Sequence, residues 1–424
     1  MSKITLLLLA SIVVGCAEMS AIGSSNDDDS TVEIFSRVVD YDRIHSVQLH
    51  PDKSETALPV VEMNSGMKLR LAFDLVEEQA RPLTVYFYHA DRNWERDLTA
   101  SEYLTSFNQD EILDYRASGA TVIPYVHYEY SFPNRSLDFK LSGNYILRVS
   151  EQGRENEALF ERSFFVTEQS TPIEMRLDQV MVAGMRSTSV QPSVLFSAPD
   201  ANSSVFDYSV CFIRNSEIGE RRCVTRPSLD VQPDMSFYLQ PDDSFGPQAA
   251  NFFIDLSEMR TGGRIERVNQ QPIPWRIEIA PDYARFSGTQ LAPFLNGQSV
   301  IRSANRYLTE PDYSSEYVNA VFKYITPDGG PIDGSLVIVG SFTNWESNPD
   351  NTLRWNELNG WYETRILLKQ GRYEYAYLSD NLALHRAKNN GLPQIGNRFT
   401  SFVYYHDLFA QTDRLLAVQG IKTE

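Results

Sequence analysis

Few residues of this chain have the types and spacing that metal binding requires. His89 and Asp91 are two residues apart, so on a strand their side chains share a face and could begin a metal site with His127 as a third ligand. The chain has only 6 histidines, and its 3 cysteines offer no free pair in ligand spacing. We therefore expect no metal and no other cofactor. Hydrogen bonding of His89 and His127 within a polar layer between strands explains both residues more simply.

Acid–base catalysis is the other chemistry to consider. Glycoside cleavage needs two carboxyl groups facing each other across a cleft. Four acidic residues are candidates only because an acidic chain offers many such pairs: Asp91, Asp97, Glu129 and Glu374. The chain has no GxSxG turn for a nucleophilic serine and no phosphate-binding glycine loop. We therefore predict no catalytic residues and a binding protein rather than an enzyme.

The elements that must position these side chains are strands. Tyr and Phe alternate with other residues through much of 85–147, as in VYFYHA and VHYEYSF, a pattern typical of strands with one aromatic face. Similar short runs alternate with Pro, Gly, Asn and Asp along the chain, without long helical periodicity. The sequence predicts an all-β protein with three immunoglobulin-like β-sandwich domains in series. Because Tyr and Trp are common at protein interfaces, the aromatic strands favour a binding role.

A chain of 424 residues is too long for a single hydrophobic core. We predict an N-terminal β domain at 32–168, a middle β-sandwich at 172–312 and a C-terminal domain at 316–424. The segments GSFTNW, GWYETRILL and GRYEYAY of the last domain resemble an early-set immunoglobulin module, a type found beside starch-active and glycogen-active enzymes. This leaves open an alternative function, a surface-exposed glycan-binding lipoprotein whose sugar-stacking residues would be Trp345, Trp355 and Trp361.

The N-terminus predicts export and a lipid anchor. An apolar run at 4–14 is too short to span a membrane but suits a signal peptide. It ends in Val-Val-Gly-Cys, which resembles a bacterial lipobox, so we predict a signal peptide at 1–15 and lipidation of Cys16. The acidic segment 16–31 then reads as a tether. Ala17 after the cysteine favours the outer membrane. The Asp27–Asp29 run is either a spacer or a surface-display signal.

The net charge is −18, from 38 basic and 56 acidic side chains. Such a chain repels nucleic acid, so we expect no nucleic-acid partner. The two remaining cysteines, Cys211 and Cys223, lie symmetrically about Glu217 in a turn candidate. In an antiparallel hairpin they would face each other, which predicts a cross-strand disulfide.

Ordered blocks of residues from about 33 to 420, densest between 85 and 147, resemble the plug proteins of the type IX secretion system of Bacteroidetes-like bacteria. The candidates for interaction with a partner are the first-domain residues of these blocks: His89, Asp91, Trp94, Asp97, Tyr103, Phe107, Tyr115, Tyr125, His127, Tyr128, Phe132, Asn134, Asn144 and Tyr145.

The resemblance implies a non-catalytic β protein that binds the periplasmic mouth of the outer-membrane translocon barrel. It would plug or gate this barrel when no cargo passes. We expect a monomer apart from that complex, held to the membrane by its N-terminal lipid, with its contact surface between Trp94 and Asn134. Trp94 itself is either a core residue, which we favour, or an exposed anchor.

Overall fold

The computed structural model describes residues 40–182, 188–199, 203–228, 234–246, 251–283, 294–305, 310–381, 384 and 397–423. The predicted signal peptide, Cys16 and the acidic tether lie outside these residues. In the described part of the chain, no helix has the length and apolarity needed to cross a membrane.

Strands dominate the described residues. In chain order they are β1 (Ile44–Pro51), β2 (Val60–Glu62), β3 (Leu69–Leu75), β4 (Leu83–Ala90), β5 (Gln109–Ile112), β6 (Asp114–Ala117), β7 (Val126–Phe132), β8 (Gly143–Glu151), β9 (Ala158–Thr167), β10 (Glu174–Met181), β11 (Thr188–Phe196), β12 (Tyr208–Arg214), β13 (Arg222–Val224), β14 (Met235–Tyr238), β15 (Phe252–Asp255), β16 (Ile265–Asn269), β17 (Trp275–Ile279), β18 (Asp282–Tyr283), β19 (Ser299–Ile301), β20 (Tyr317–Ile325), β21 (Leu336–Gly340), β22 (Arg354–Asn356), β23 (Trp361–Lys369), β24 (Gly371–Ser379), β25 (Arg398–Asp407) and β26 (Thr412–Lys422).

The helices among the described residues are short. Two are α-helical turns, α1 (Ala100–Tyr103) and α2 (Pro311–Ser314), and the 3-10 turns are Val205–Asp207, Ile218–Glu220, Pro241–Asp243, Ser341–Thr343 and Pro349–Asn351. The prediction of an all-β protein built from several sandwiches is confirmed.

The first sandwich pairs a sheet of order β1-β3-β7-β6 with a sheet of order β2-β9-β8-β4-β5. Alternate residues of these strands point inward, and they fill the core with large rings such as Phe73, Phe87, Phe132 and Phe160. Ring pairs contact each other edge-to-face, as between Phe87 and Phe132 at 5.0 Å. The alternating aromatic residues of the sequence therefore lie mostly in the core between the two sheets of this sandwich.

The other two sandwiches combine segments that are distant in sequence. β12 pairs along its whole length with β25, so the last hairpin, β25–β26, completes the middle sandwich beside β10-β11-β14. In the third sandwich, β15 and β19 pair with β24, and β17 pairs in parallel with β20. The strand pairing thus crosses the predicted boundary at 312–316: strands β15 to β19 join the C-terminal sandwich, and strands β25 and β26 join the middle one. Local patterns identify strands, but they do not say which distant strand will be the partner.

A separate apolar cluster joins the first and middle sandwiches. Phe165 and Phe402 lie with their ring centroids 4.4 Å apart, and Trp94 packs on Phe165 at 5.4 Å. Cys211 and Leu415 complete the same buried cluster. Trp94 is therefore a buried contact between sandwiches, in agreement with the core interpretation. All described residues fall in one compact unit, residues 33–424.

Cys211 and Cys223 are register partners on β12 and β13, and their sulfur atoms are bonded. Closing a loop of 12 residues restricts the unfolded chain, so replacing both cysteines with serine should lower the free energy of unfolding by about 2–4 kcal/mol. Chemical denaturation of the two proteins measures this difference. Equal thiol counts with and without reductant in the unfolded mature protein would contradict the bond.

Candidate interaction surface

His89 and Asp91 hold structural positions in the first sandwich. His89 is buried, with Nδ1 at 2.8 Å from Asp97 Oδ1 and Nε2 at 3.2 Å from the Ser142 carbonyl oxygen. Asp91 accepts hydrogen bonds from the backbone N–H groups two and four residues further on, which shapes the turn after β4. His127 lies on β7, in the opposite sheet. The structure therefore does not bring these three residues together as metal ligands.

His127 instead belongs to an ionic group with Glu129 and Asp312, whose ligand atoms lie within 4.8 Å of one another. A guanidinium already occupies this group: Arg70 Nη2 is 2.6 Å from Glu129 and 3.0 Å from Asp312. Tyr313 adds a hydrogen bond to Glu129 at 3.3 Å. Since the carboxylates are paired with arginine, the group functions as an ion-pair contact between the first and third sandwiches.

Beside this group, a fully buried carboxylate joins two pairs of strands. Asp74 and His127 are register partners on β3 and β7, and Tyr317 and Lys369 are register partners on β20 and β23. The Asp74 carboxylate accepts hydrogen bonds from His127 Nδ1, Lys369 Nζ and Tyr317 Oη, each at 2.6 Å. We call these four residues the Asp74 cluster; it links the first sandwich to the third.

Charge pairing sets the protonation of the Asp74 cluster. Burial by itself raises the pKa of Asp74, but the charge of Lys369 and the hydrogen bond from His127 hold it below its usual value. Burial by itself lowers the pKa of His127, and the hydrogen bond to Asp74 together with the Glu129 carboxylate, 3.3 Å from Nε2, reverses this, so the pKa is raised. The cluster therefore favours ionised Asp74 and protonated His127.

A raised histidine pKa makes stability depend on pH. The contribution of His127 is complete below its unfolded-state pKa of 6.5 and is lost as the pH rises through the folded-state pKa. We expect the free energy of unfolding to differ more between wild type and a His127→Gln variant at about pH 6 than at about pH 9. Denaturation titrations across this range measure the difference, and a gap that widens toward alkaline pH would contradict the assignment.

Most of the other interaction candidates are buried. Tyr103, Tyr128, Phe132 and Tyr145 form part of the first core. Tyr125 is buried between sandwiches, and its hydroxyl donates to backbone oxygens of the α2 region at 3.1 Å.

The two asparagine candidates also make structural hydrogen bonds. Asn134 accepts N–H groups of Ser136 and Leu137 in the turn after β7. Asn144 accepts the Tyr404 hydroxyl of the last hairpin at 2.8 Å. These candidates therefore build the fold rather than present a surface.

Two aromatic candidates are exposed, and both lie on one edge of the first sandwich. Phe107 is 82% exposed and Tyr115 is 48% exposed. Between them lies Leu113, 77% exposed, which was absent from the sequence-based candidates. In the sequence it is the second residue of the apolar pair Ile112–Leu113, between the polar residues QDE and DYR. Large exposed apolar side chains grouped on one segment are typical of protein contacts.

We call this segment, residues 107–118, the open edge. β5 is the last strand of one sheet of the first sandwich, and β6 is the last strand of the other. Leu113 alone separates these two strands. The open edge thus pairs with part of β4 and part of β7 at one side of the first sandwich, and it lies within the range predicted from the sequence.

The third sandwich does not form a row of tryptophans. Trp355 is the register partner of Tyr362, whereas Trp361 is the neighbour of Tyr362 on the same strand, so the two indoles point to opposite faces of the sheet. Trp345 donates its indole N–H to the Gly297 carbonyl oxygen at 2.7 Å. None of the three is fully exposed. This geometry offers little support for the alternative of glycan binding by these residues.

Known structures support the architecture. A hypothetical protein from Parabacteroides merdae ATCC 43184 is 21% identical, and its alignment covers 91% of this chain and 98% of that chain with a TM-score of 0.81. At this identity the likeness shows the fold alone. A protein from Corynebacterium diphtheriae is 11% identical over 90% of this chain and 92% of that chain, but its TM-score of 0.13 carries no argument. No curated protein matches the chain.

A protein-family comparison addresses the first sandwich. Residues 44–168, which include β1 to β9 and the open edge, match the model described as Type 9 secretion system plug protein 1st domain. The resemblance predicted from the sequence is thereby confirmed, and it connects the chain with type IX secretion, a process of the cell envelope. Through residues 44–168, this chain is thus similar to the first domain of type IX secretion system plug proteins.

Proposed function

We propose that this protein is a non-catalytic outer-membrane lipoprotein that binds the periplasmic mouth of the type IX translocon barrel and plugs or gates it. The family match of residues 44–168 carries the proposal. The exposed open edge supports it, because it offers Phe107, Leu113 and Tyr115 as apolar contacts within the matched domain. Such residues supply most of the energy of an interface when they are desolvated.

The links between the sandwiches suit such a role. A cover for a water-filled barrel has to resist bending, and the Asp74 cluster and the Trp94 contact cross-link the first sandwich to both others. Lipidation of Cys16, outside the described residues, would keep the protein near the barrel and raise its effective concentration there.

Purification of the translocon barrel from cells without cargo tests the proposal. We expect this protein to co-purify with the barrel. A barrel that is intact, unoccupied by any substitute and free of this protein would contradict the proposal. Protease treatment of whole cells tests the side of the membrane, because a periplasmic lipoprotein is spared and a surface-displayed one is cleaved.

The open edge makes a sharper prediction. Replacing Phe107 and Leu113 together with serine should reduce the amount of protein retained by the barrel at least about 10-fold, since loss of central apolar anchors costs 2 kcal/mol or more. Leu358→Ser is the matched control, because Leu358 is 97% exposed on the third sandwich. Equal retention of the double variant and the control would exclude the open edge as the contact.

A further inference from the structure

The backbone of the open edge has a regular arrangement. The Asn108 carbonyl oxygen accepts the Phe87 N–H at 2.9 Å, and the Ser118 N–H donates to the Tyr125 carbonyl oxygen at 2.7 Å. In antiparallel pairs, hydrogen-bonded residues alternate with residues whose N–H and C=O groups point away. Even-numbered residues of 108–118 therefore bond inward, first to β4 and then to β7. The odd-numbered residues Gln109, Glu111, Tyr115 and Ala117 direct their backbone groups outward, where the Glu111 N–H donates to Asp110 Oδ1 at 3.0 Å.

This outer side has no strand partner among the described residues, since β5 and β6 each end their sheet. Natural proteins protect such edges because an unpaired strand can bind another chain. Here the edge carries no proline, and apolar Phe107 and Leu113 are exposed beside it. An edge with these properties is suited to accept a further strand.

The charged side chains of the open edge indicate which residue types the added strand would carry. Asp114 makes no ion pair within the described part of the chain, and the Glu111 carboxylate is bonded only to the Gln152 amide at 2.8 Å and to no cation there. Arg116 is already paired with Glu310. Two carboxylates without a cation thus flank exposed Leu113, and they complement a segment with basic and apolar side chains.

Resting on the proposed function, we propose that the open edge binds the translocon by strand addition. An extended segment of the translocon, with basic and apolar residues, would hydrogen-bond to the outward backbone groups of Gln109, Tyr115 and Ala117 and to the Glu111 carbonyl oxygen. Its apolar side chains would contact Phe107 and Leu113, and its basic side chains would pair with Glu111 and Asp114. Main-chain bonds would then supply affinity, and the side chains would supply specificity.

In-cell photo-crosslinking tests this arrangement. A photo-reactive residue is placed in turn at positions 109, 111, 115 and 117, the barrel is purified, and the crosslinked residues are mapped. We expect the captured residues to lie on one extended segment. When the photo-reactive residue is moved by two positions along the open edge, the captured residue should move by two positions along that segment. Crosslinks scattered over several segments, crosslinks to a helix, or no crosslinks while the barrel co-purifies would overturn strand addition. If the barrel itself does not co-purify, the proposed function fails instead.

A backbone variant provides an independent test. Ala117→Pro removes an outward N–H and little else, and proline is tolerated on the free side of an edge strand. Its matched control, Ala117→Ser, keeps the N–H. We expect the proline variant to be retained by the barrel about 5-fold to 10-fold less than the serine variant, the effect of losing one hydrogen bond. Equal retention of two folded variants contradicts main-chain pairing, and if the proline variant does not fold, the crosslink pattern decides.

Discussion

Replacing Asp74 with asparagine is expected to lower the free energy of unfolding by about 3–5 kcal/mol, because removal of one member of a buried ion pair leaves the other charge uncompensated. Asp74 and Lys369 are both buried, and the Lys369 ammonium has Asp74 as its carboxylate partner at 2.6 Å. The Tyr317 hydroxyl and His127 lose the same charged acceptor. Urea denaturation of wild type and variant measures the change.

Two comparisons separate this effect from a general loss of surface charge. Glu157→Gln removes an exposed carboxylate of the first sandwich, paired with Arg154, and should change stability by less than about 1 kcal/mol. Combining Asp74→Asn with Lys369→Met should destabilise less than the sum of the single variants, since the stranded ammonium is removed too. An additive double variant would mean that the two side chains do not act as a pair.

The second large effect is expected in the third sandwich. Asp282 is buried and accepts the hydroxyl groups of Tyr375 and Tyr377, each at 2.8 Å, and it forms an ion pair with Arg264. Burial raises the pKa of Asp282 despite these partners. Asp282→Ala should lower the free energy of unfolding by about 3–5 kcal/mol, because it leaves a largely buried guanidinium without its counter-ion.

The controls for Asp282 use the same sandwich. Tyr377→Phe removes one hydrogen bond to the carboxylate and should cost about 1–2 kcal/mol. Glu258→Gln removes the acid of an exposed pair with Arg260 and should have an effect of less than about 1 kcal/mol. If Asp282→Ala is no more destabilising than Glu258→Gln, the buried group does not support the core.

Asp74 and Asp282 stabilise different parts of the proposed plug. Asp282 bonds within one sandwich, between β18 and β24, whereas Asp74 connects two sandwiches. Loss of Asp282 should weaken the third sandwich itself. Loss of Asp74 should also loosen the first sandwich from the third, and limited proteolysis of the native variant would detect this. A plug that covers a barrel as one rigid body depends on the second kind of contact.

The strand content could be predicted from the sequence, and the exposed open edge lies within the range where a contact surface was predicted. Alternating Tyr and Phe predict strands because side-chain direction has a period of two, a local property. The same reasoning could not separate Tyr128, in the core, from Tyr115, on the open edge, because the two face each other as register partners across β6 and β7. Only the position of β6 at the end of its sheet leaves Tyr115 exposed.

The sequence by itself therefore determined the fold class, the family resemblance and the pairing of Cys211 with Cys223, each of which depends on short-range patterns or on ordered motifs. The tertiary structure decided which sandwich the last hairpin joins and which distant residues meet, such as Asp74 and Lys369, 295 positions apart. It also decided which aromatic residues reach the surface. Long-range strand pairing and burial arise from the packing of whole sheets, and no local pattern encodes them.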